Sequence, residues 1–246
     1  MPFNFLSLSG ELRNEIYENL ILSSEPINPW SGKKELVTNI LLANRQVLDE
    51  ARSLLYGKNC FELVVWKPDL VPSFLDAIGS VNASYIRFIR IEFPAFYDLK
   101  DEVSLEKTSV DILEKIQKHC TNLRSITIGA LTTYLVEIRL DQVDNPAIYG
   151  KALALIATRL NAIKSLQKVV VEVYEEAPSL DIRKEMESHG WQLKVVPRVE
   201  DVENAGSGED VDEEVYRYSD ENEDDEELYL HDDYDDAYYG EDDIDF

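Results

Sequence analysis

Three times in this chain a helical stretch gives way to the same apolar spacing: Ile86, Ile89 and Ile91; Leu123, Ile126 and Ile128; Leu166, Val169 and Val171. A large residue, two polar ones and then alternating β-branched residues describe a chain that leaves a helix and enters a strand with one face buried. The preceding helical stretches are residues 70–80, 104–120 and 151–165, and a fourth unit follows as 180–190 with the strand WQLKVV. Strands that alternate with helices of this length lie parallel, joined by right-handed crossovers, so the predicted fold class is mixed α/β. The offsets between the three units, 37 and 43 residues, are too irregular for a tight repeat and fit an irregular solenoid. CFELVVW, residues 60–66, reads as an earlier strand ended by Pro68. TYLVEIRL, residues 133–140, breaks the order and reads as an extra hairpin strand without an assigned place.

Two helices are predicted ahead of these units. Ser9 is the expected N-cap of the first, and Glu11 in its first turn favours the helix dipole. Leu12, Ile16 and Leu20 recur at helical spacing, and Tyr17 and Ile21 widen the stripe. Residues 24–35, with two prolines and a glycine, form a loop. A second helix is expected over residues 36–56, with Ile40, Leu41, Val47, Leu48, Ala51, Leu54 and Leu55 on one face and Gly57 at C′.

The net charge of −25 is concentrated at one end. Residues 199–246 hold 23 of the 49 acidic residues and one of the 24 basic ones, a charge of −22, which leaves −3 for residues 1–198. Three regions follow: a helical region, 1–57; a helix-strand domain, 58–198; and an acidic tail, 199–246, whose uncompensated charge predicts disorder. Tyrosines interleave with the tail's carboxylates, so beside its reading as a solvated appendage it could engage a basic protein. Nucleic-acid binding is disfavoured, because phosphate contacts need a surplus of Lys and Arg over the body as a whole. Cys60 and Cys120 form no CxxC pair, and no stretch approaches the roughly 20 apolar residues of a membrane span, so an intracellular protein away from membranes is expected.

Catalytic and metal patterns are absent from the sequence reading, and no cofactor is expected. His119 and Cys120 are adjacent, but at a helix C-terminus the dipole disfavours a thiolate; a helix-end histidine and a core cysteine explain them. His189 before Gly190 has the same explanation, and three histidines without ligand spacing make no metal site. Gly206-Ser207-Gly208 lies in acidic sequence that repels phosphate.

LSLSGELRNEIYENLIL, residues 6–22, resembles the start of an F-box, with Ser9 where that pattern has proline. With residues 44–63 and 74–91 it resembles a large family of F-box-like proteins of ascomycete fungi, over residues 5–93. The later units resemble the degenerate leucine-rich repeats that often follow an F-box. The resemblance implies a bridging role: F-box helices dock on a Skp-type adaptor of a cullin-RING ubiquitin ligase, and the following domain holds a protein substrate. Leu8, Leu12, Ile16 and Leu20 would then be anchors of helix-in-groove recognition. The competing explanation is that the same four residues close an internal core. A reading of a different class is an adaptor-free scaffold or chaperone-like protein whose acidic aromatic tail binds basic proteins.

Overall fold

In the computed structural model the described residues are 4–31, 38–64, 67, 69–100, 102–143, 145–176 and 180–198. The acidic tail, residues 65–66 at the end of the expected first strand, Pro68 and residues 32–35 of the expected loop lie outside them.

The spacing that opened the sequence reading becomes a parallel sheet. Its strands are β1 (Cys60–Glu62), β2 (Phe88–Ile91), β5 (Ser125–Ile128), β6 (Lys168–Tyr174) and β7 (Gln192–Val196), hydrogen-bonded in that order, which is also their order along the chain. The three spaced units are in register: Ile89 pairs with Ile126 and Ile126 with Val169, and Ile91, Ile128 and Val171 form the next row. All six are buried, with Ile126 fully so. Period-two burial follows from the strand's alternation of faces, and the helices α3 (Leu70–Tyr85), α4 (Lys107–His119), α6 (Pro146–Asn161) and α7 (Leu180–Ser188) supply the other half of this core. The predicted fourth unit is thus α7 with β7, paired parallel to β6. Gly190 ends α7 at φ +80° in a Schellman arrangement, Trp191 N–H bonding the Met186 carbonyl and Gly190 N–H that of Glu187. Gly79, at φ +77°, kinks α3 midway.

Three local expectations are corrected. TYLVEIRL is not a hairpin strand: it lies in helix α5 (Ala130–Asp141), where Ala130, Thr133, Val136, Glu137 and Leu140 are buried at helical spacing. Leu131 and Leu135 are exposed while the polar Thr133 and Glu137 are buried, so polarity did not reveal the helical period. Glu137, fully buried, is held by Arg183 Nε of α7 at 3.2 Å, and burial pushes its carboxyl upward. The helix expected over 36–56 is two elements, a 3-10 turn at Thr38–Leu42 and α2 (Arg45–Lys58), because Asn44 Oδ1 accepts from Val47 N–H at 3.0 Å and caps a new start. Gly57 is not at C′; it is a buried residue inside α2, and Asn59 is the cap. A short antiparallel pair, β3 (Phe96–Asp98) with β4 (Ser104–Leu105), had no counterpart in the sequence reading.

The first helix, α1 (Gly10–Ile21), has the expected Ser9 cap, its Oγ accepting from Leu12 N–H at 3.4 Å. α1 and α2 run in the same direction: Arg13 meets Glu50 near their starts, and Glu18 meets Lys58 near their ends. Parallel neighbours cannot be joined by a tight turn, which accounts for the long connection between them. Part of that connection closes the sheet edge, since Ile27 pairs with Phe61 of β1 through Ile27 N–H to the Cys60 carbonyl and Glu62 N–H to the Ile27 carbonyl. Trp30, Phe74, Phe61 and Tyr56 form a run of aromatic contacts, with centroids 5.7–6.0 Å apart, where α2, β1 and α3 meet. Among the described residues no helix is long and apolar enough to cross a membrane.

Candidate protein-interaction site

On an α-helix, residues four apart share a face and neighbours differ by 100°. α1 therefore carries two adjacent stripes, Leu12-Ile16-Leu20 and Arg13-Tyr17-Ile21. The structure buries the second: Tyr17 and Ile21 are fully buried, and they pack with Val47, Ala51 and Leu55 of α2. Leu12 is 48% exposed, and Leu8, Ile16 and Leu20 are half-buried. Of these, Leu20 packs at the margin of the small core. The stripe richer in leucine is thus the flank of α1, and the core face is led by an arginine.

That arginine is admissible because its charge is answered. Arg13 Nε and Nη2 hold the two Glu50 carboxylate oxygens at 2.9 and 2.6 Å, a bidentate pair. Tyr17 Oη donates to Glu50 at 2.9 Å, Gln46 Nε2 at 3.0 Å, and Arg13 Nη1 donates to the Leu8 carbonyl at 2.6 Å. The Arg13 hydrogen bonds hold the Glu50 carboxyl down to about 2, while burial pushes the Tyr17 phenol up to about 12. The bond to Leu8 fixes the backbone just ahead of α1, so the clamp that joins the two helices also positions Leu8 beside the exposed stripe. At the other end Asn59 is buried and saturated. Its Nδ2 donates to the Ile21 and Leu55 carbonyls, each at 2.8 Å, and its Oδ1 accepts from Ser23 N–H at 2.8 Å. One side chain thereby closes the C-termini of both helices.

The sheet offers a second surface. Opposite the helix-covered side, β1, β2, β6 and β7 present Glu62, Arg90, Glu172 and Lys194, alternating in sign. Arg90 lies 3.6 Å from Glu62 and 2.5 Å from Glu172, and Lys194 lies 3.2 Å from Glu172. Arg90 thus reaches from β2 across β5 to β6, and it covers the carboxylate of Glu172, whose side chain is only 6% exposed.

The residues weighed for catalysis fall where the sequence reading put them. His119 ends α4 with Nε2 3.9 Å from Asp76, and Cys120 beyond it is fully buried, its thiol pushed up to about 12 by burial. Burial likewise pushes Cys60 to about 11, so neither presents a thiolate near neutral pH. Among the described residues no three His, Cys, Asp or Glu side chains are grouped to hold a metal ion.

The sequence reading missed Arg13, Glu50 and Asn59. The available signal was Arg13-Tyr17-Ile21, as regular as its neighbour, matched by a carboxylate at position 50 on α2's inner face. Comparison of the chain with family models, with curated proteins and with solved structures finds no match.

Proposed function

We propose that this chain is a non-enzymatic recognition subunit of a Skp-cullin-RING ubiquitin ligase, with the α1–α2 pair docking on a Skp-type adaptor and the helix-strand body holding a protein substrate. The observation that carries the reading is the division of α1 into two stripes. A core requirement accounts for Tyr17 and Ile21, yet leaves Leu12 half in solvent with Leu8 and Ile16 beside it. Helix-in-groove recognition uses an exposed i, i+4 ridge of this kind. The body supports the reading too, since parallel strands stacked in chain order, helices on one side and an open polar side on the other, resemble an irregular leucine-rich-repeat solenoid.

The test is titration of the full chain with the Skp-type adaptor of the same organism. Wild type binds, and Leu12→Ala weakens binding about tenfold or more, as for an anchor at an interface centre. Absence of binding at about 50 µM, equivalent to roughly 6 kcal/mol, by wild type and by Ser9→Pro alike would remove the ligase reading. The adaptor-free scaffold would take its place.

A further inference from the structure

The body is nearly neutral as a whole, but its charge is not evenly spread along the strands. The segments that lead into β2, β5 and β6, residues 79–91, 119–128 and 160–171, contain no Asp or Glu and carry, besides the ion-paired Arg90, the cations Arg87, Arg124, Lys164 and Lys168. All four are exposed, and none is hydrogen-bonded or ion-paired through its side chain among the described residues. Glu92, Glu175 and Glu176, by contrast, follow the other ends of β2 and β6.

The backbone sets Arg87 and Arg124 in rank at adjoining strand starts, and Lys168, paired with Ser125, stands one residue further along on the side that bears Phe88. The Arg87 carbonyl accepts from Arg124 N–H at 2.8 Å and Ser125 N–H at 3.0 Å, and the Arg124 carbonyl accepts from Gln167 N–H at 2.9 Å and Lys168 N–H at 3.0 Å. Neighbouring strands are about 4.8 Å apart, well inside the roughly 10 Å screening length at 0.1 M salt, so these like charges repel one another. The helix ends here, Tyr85 of α3, His119 of α4 and Asn161 of α6, are C-termini, each equivalent to roughly half a negative charge. Together they offset less than half of the four cations.

Beside the rank a cleft of about 290 Å³ opens, lined on one wall by Ser23, Glu25 and Pro26 and floored by Phe88, Ser125 and Thr127. Phe88 is 37% exposed there, and Lys58 on the rim is already engaged by Glu18. Glu25 makes the cleft's near end repellent to anions, so carboxylates are drawn to the Arg124 and Lys168 end, with an apolar side chain over Phe88.

We infer that this end of the sheet is a docking surface for an acidic, extended segment of a partner protein, its carboxylates or phosphates on Arg87, Arg124, Lys164 and Lys168 and an apolar residue in the Phe88 cleft. The inference rests on the reading of the chain as a recognition subunit, and it names the substrate class that subunit would take. A polypeptide fits better than nucleic acid, because four cations fall short of the roughly six to ten phosphate contacts typical of DNA-binding proteins.

The experiment is fluorescence anisotropy of the full chain with a labelled Glu/Ser peptide bearing one central Leu, about eight residues and so roughly 27 Å when extended. The acidic peptide binds and weakens with salt, a Lys/Ser/Leu peptide does not bind, and Arg124→Gln with Lys168→Gln lowers affinity about fivefold or more. Lys100→Gln with Lys151→Gln, which removes the same charge from exposed positions elsewhere, leaves it unchanged. Circular-dichroism melts of both double variants match wild type, since all four positions are exposed. No binding of the acidic peptide, or equal losses from the two double variants, overturns the inference; tighter binding of an oligothymidylate of matched charge reassigns the surface to nucleic acid. Adaptor affinity is measured on the same samples: its loss bears on the ligase reading, and loss of peptide binding alone bears on this surface.

Discussion

The helix pair at the start of the chain and the sheet that follows are held together by different means. Among the described residues, the α1–α2 core has five buried apolar side chains, whereas the core between sheet and helices has 31. A core that small cannot offset the ordering of two helices by burial alone. Its deficit is met by directed polar links: Arg13 to Glu50, Tyr17 to Glu50, and Asn59 to three backbone groups. The sheet is held by undirected burial in register, and its ion pairs lie on the open side. Perturbations that act on charge should therefore loosen the helix pair first, and perturbations that act on apolar volume should destroy the sheet.

The largest effect is expected at Ile126, fully buried between Ile89 and Val169. Ile126→Asp buries an unpaired charge at the middle strand, and a loss of about 4 kcal/mol or more should appear as failure to show a cooperative urea transition. A variant that melts like wild type would break the assignment of the core to the sheet. Next is Asn59→Leu, which strands the Ile21 and Leu55 carbonyls and the Ser23 N–H. It should cost about 2–4 kcal/mol, with hydrogen exchange accelerated in α1 and α2 and little changed in β5 and β6.

Acid sharpens the same contrast. Glu50 has a folded value of about 2, below the ordinary glutamate value of about 4.3. A depressed carboxyl contributes stability that is complete above the unfolded value and is lost as pH falls through the folded one. Exchange of α1 amides should accelerate as pH is lowered from about 4.3 toward 2, after correction for intrinsic rates, while β5 amides stay protected. Glu50→Gln should be destabilised at neutral pH and should flatten that acid response; an unchanged response would assign it to other carboxylates. The smallest effect is expected at Leu12. With nearly half its surface in solvent, Leu12→Ala should change stability by less than about 1 kcal/mol, measured by urea titration.

What was legible in the sequence follows this division. β-branched alternation after a helix is a one-sided signal, and it pointed to Ile89, Ile126 and Val169 as buried on one face of neighbouring strands, which the sheet then pairs in register. At α1, hydrophobicity ranked the leucine stripe above one led by arginine, because the Glu50 that neutralises Arg13 is 37 residues away and its approach depends on the fold. Asn44 and Gly57 were ambiguous for a related reason. An asparagine inside an apolar pattern is a cap only if the preceding turn stops, and a glycine late in a helix is a terminator only if the chain then turns left-handed. α5 was illegible because polarity does not sort its faces: Thr133 and Glu137 are buried while Leu131 and Leu135 are exposed, so tertiary packing selects its period. For the candidate site, the sequence pointed to Leu8, Leu12, Ile16 and Leu20, of which the structure leaves Leu12 exposed, half-buries the other three and packs Leu20 at the core margin, while the Arg13–Glu50 clamp beside them gave no apolar signal.

The strand order carries a consequence for synthesis. Because each of β2, β5, β6 and β7 is laid down beside the strand made before it, the sheet can grow vectorially as the chain leaves the ribosome, without waiting for a distant segment. Arg90 is the exception, since its closest partner, Glu172, is 82 residues downstream. Glu62 precedes Arg90 and lies on the adjoining strand, so the guanidinium has a counter-charge from the moment β2 pairs with β1, and it can pass to the buried carboxylate when β6 arrives.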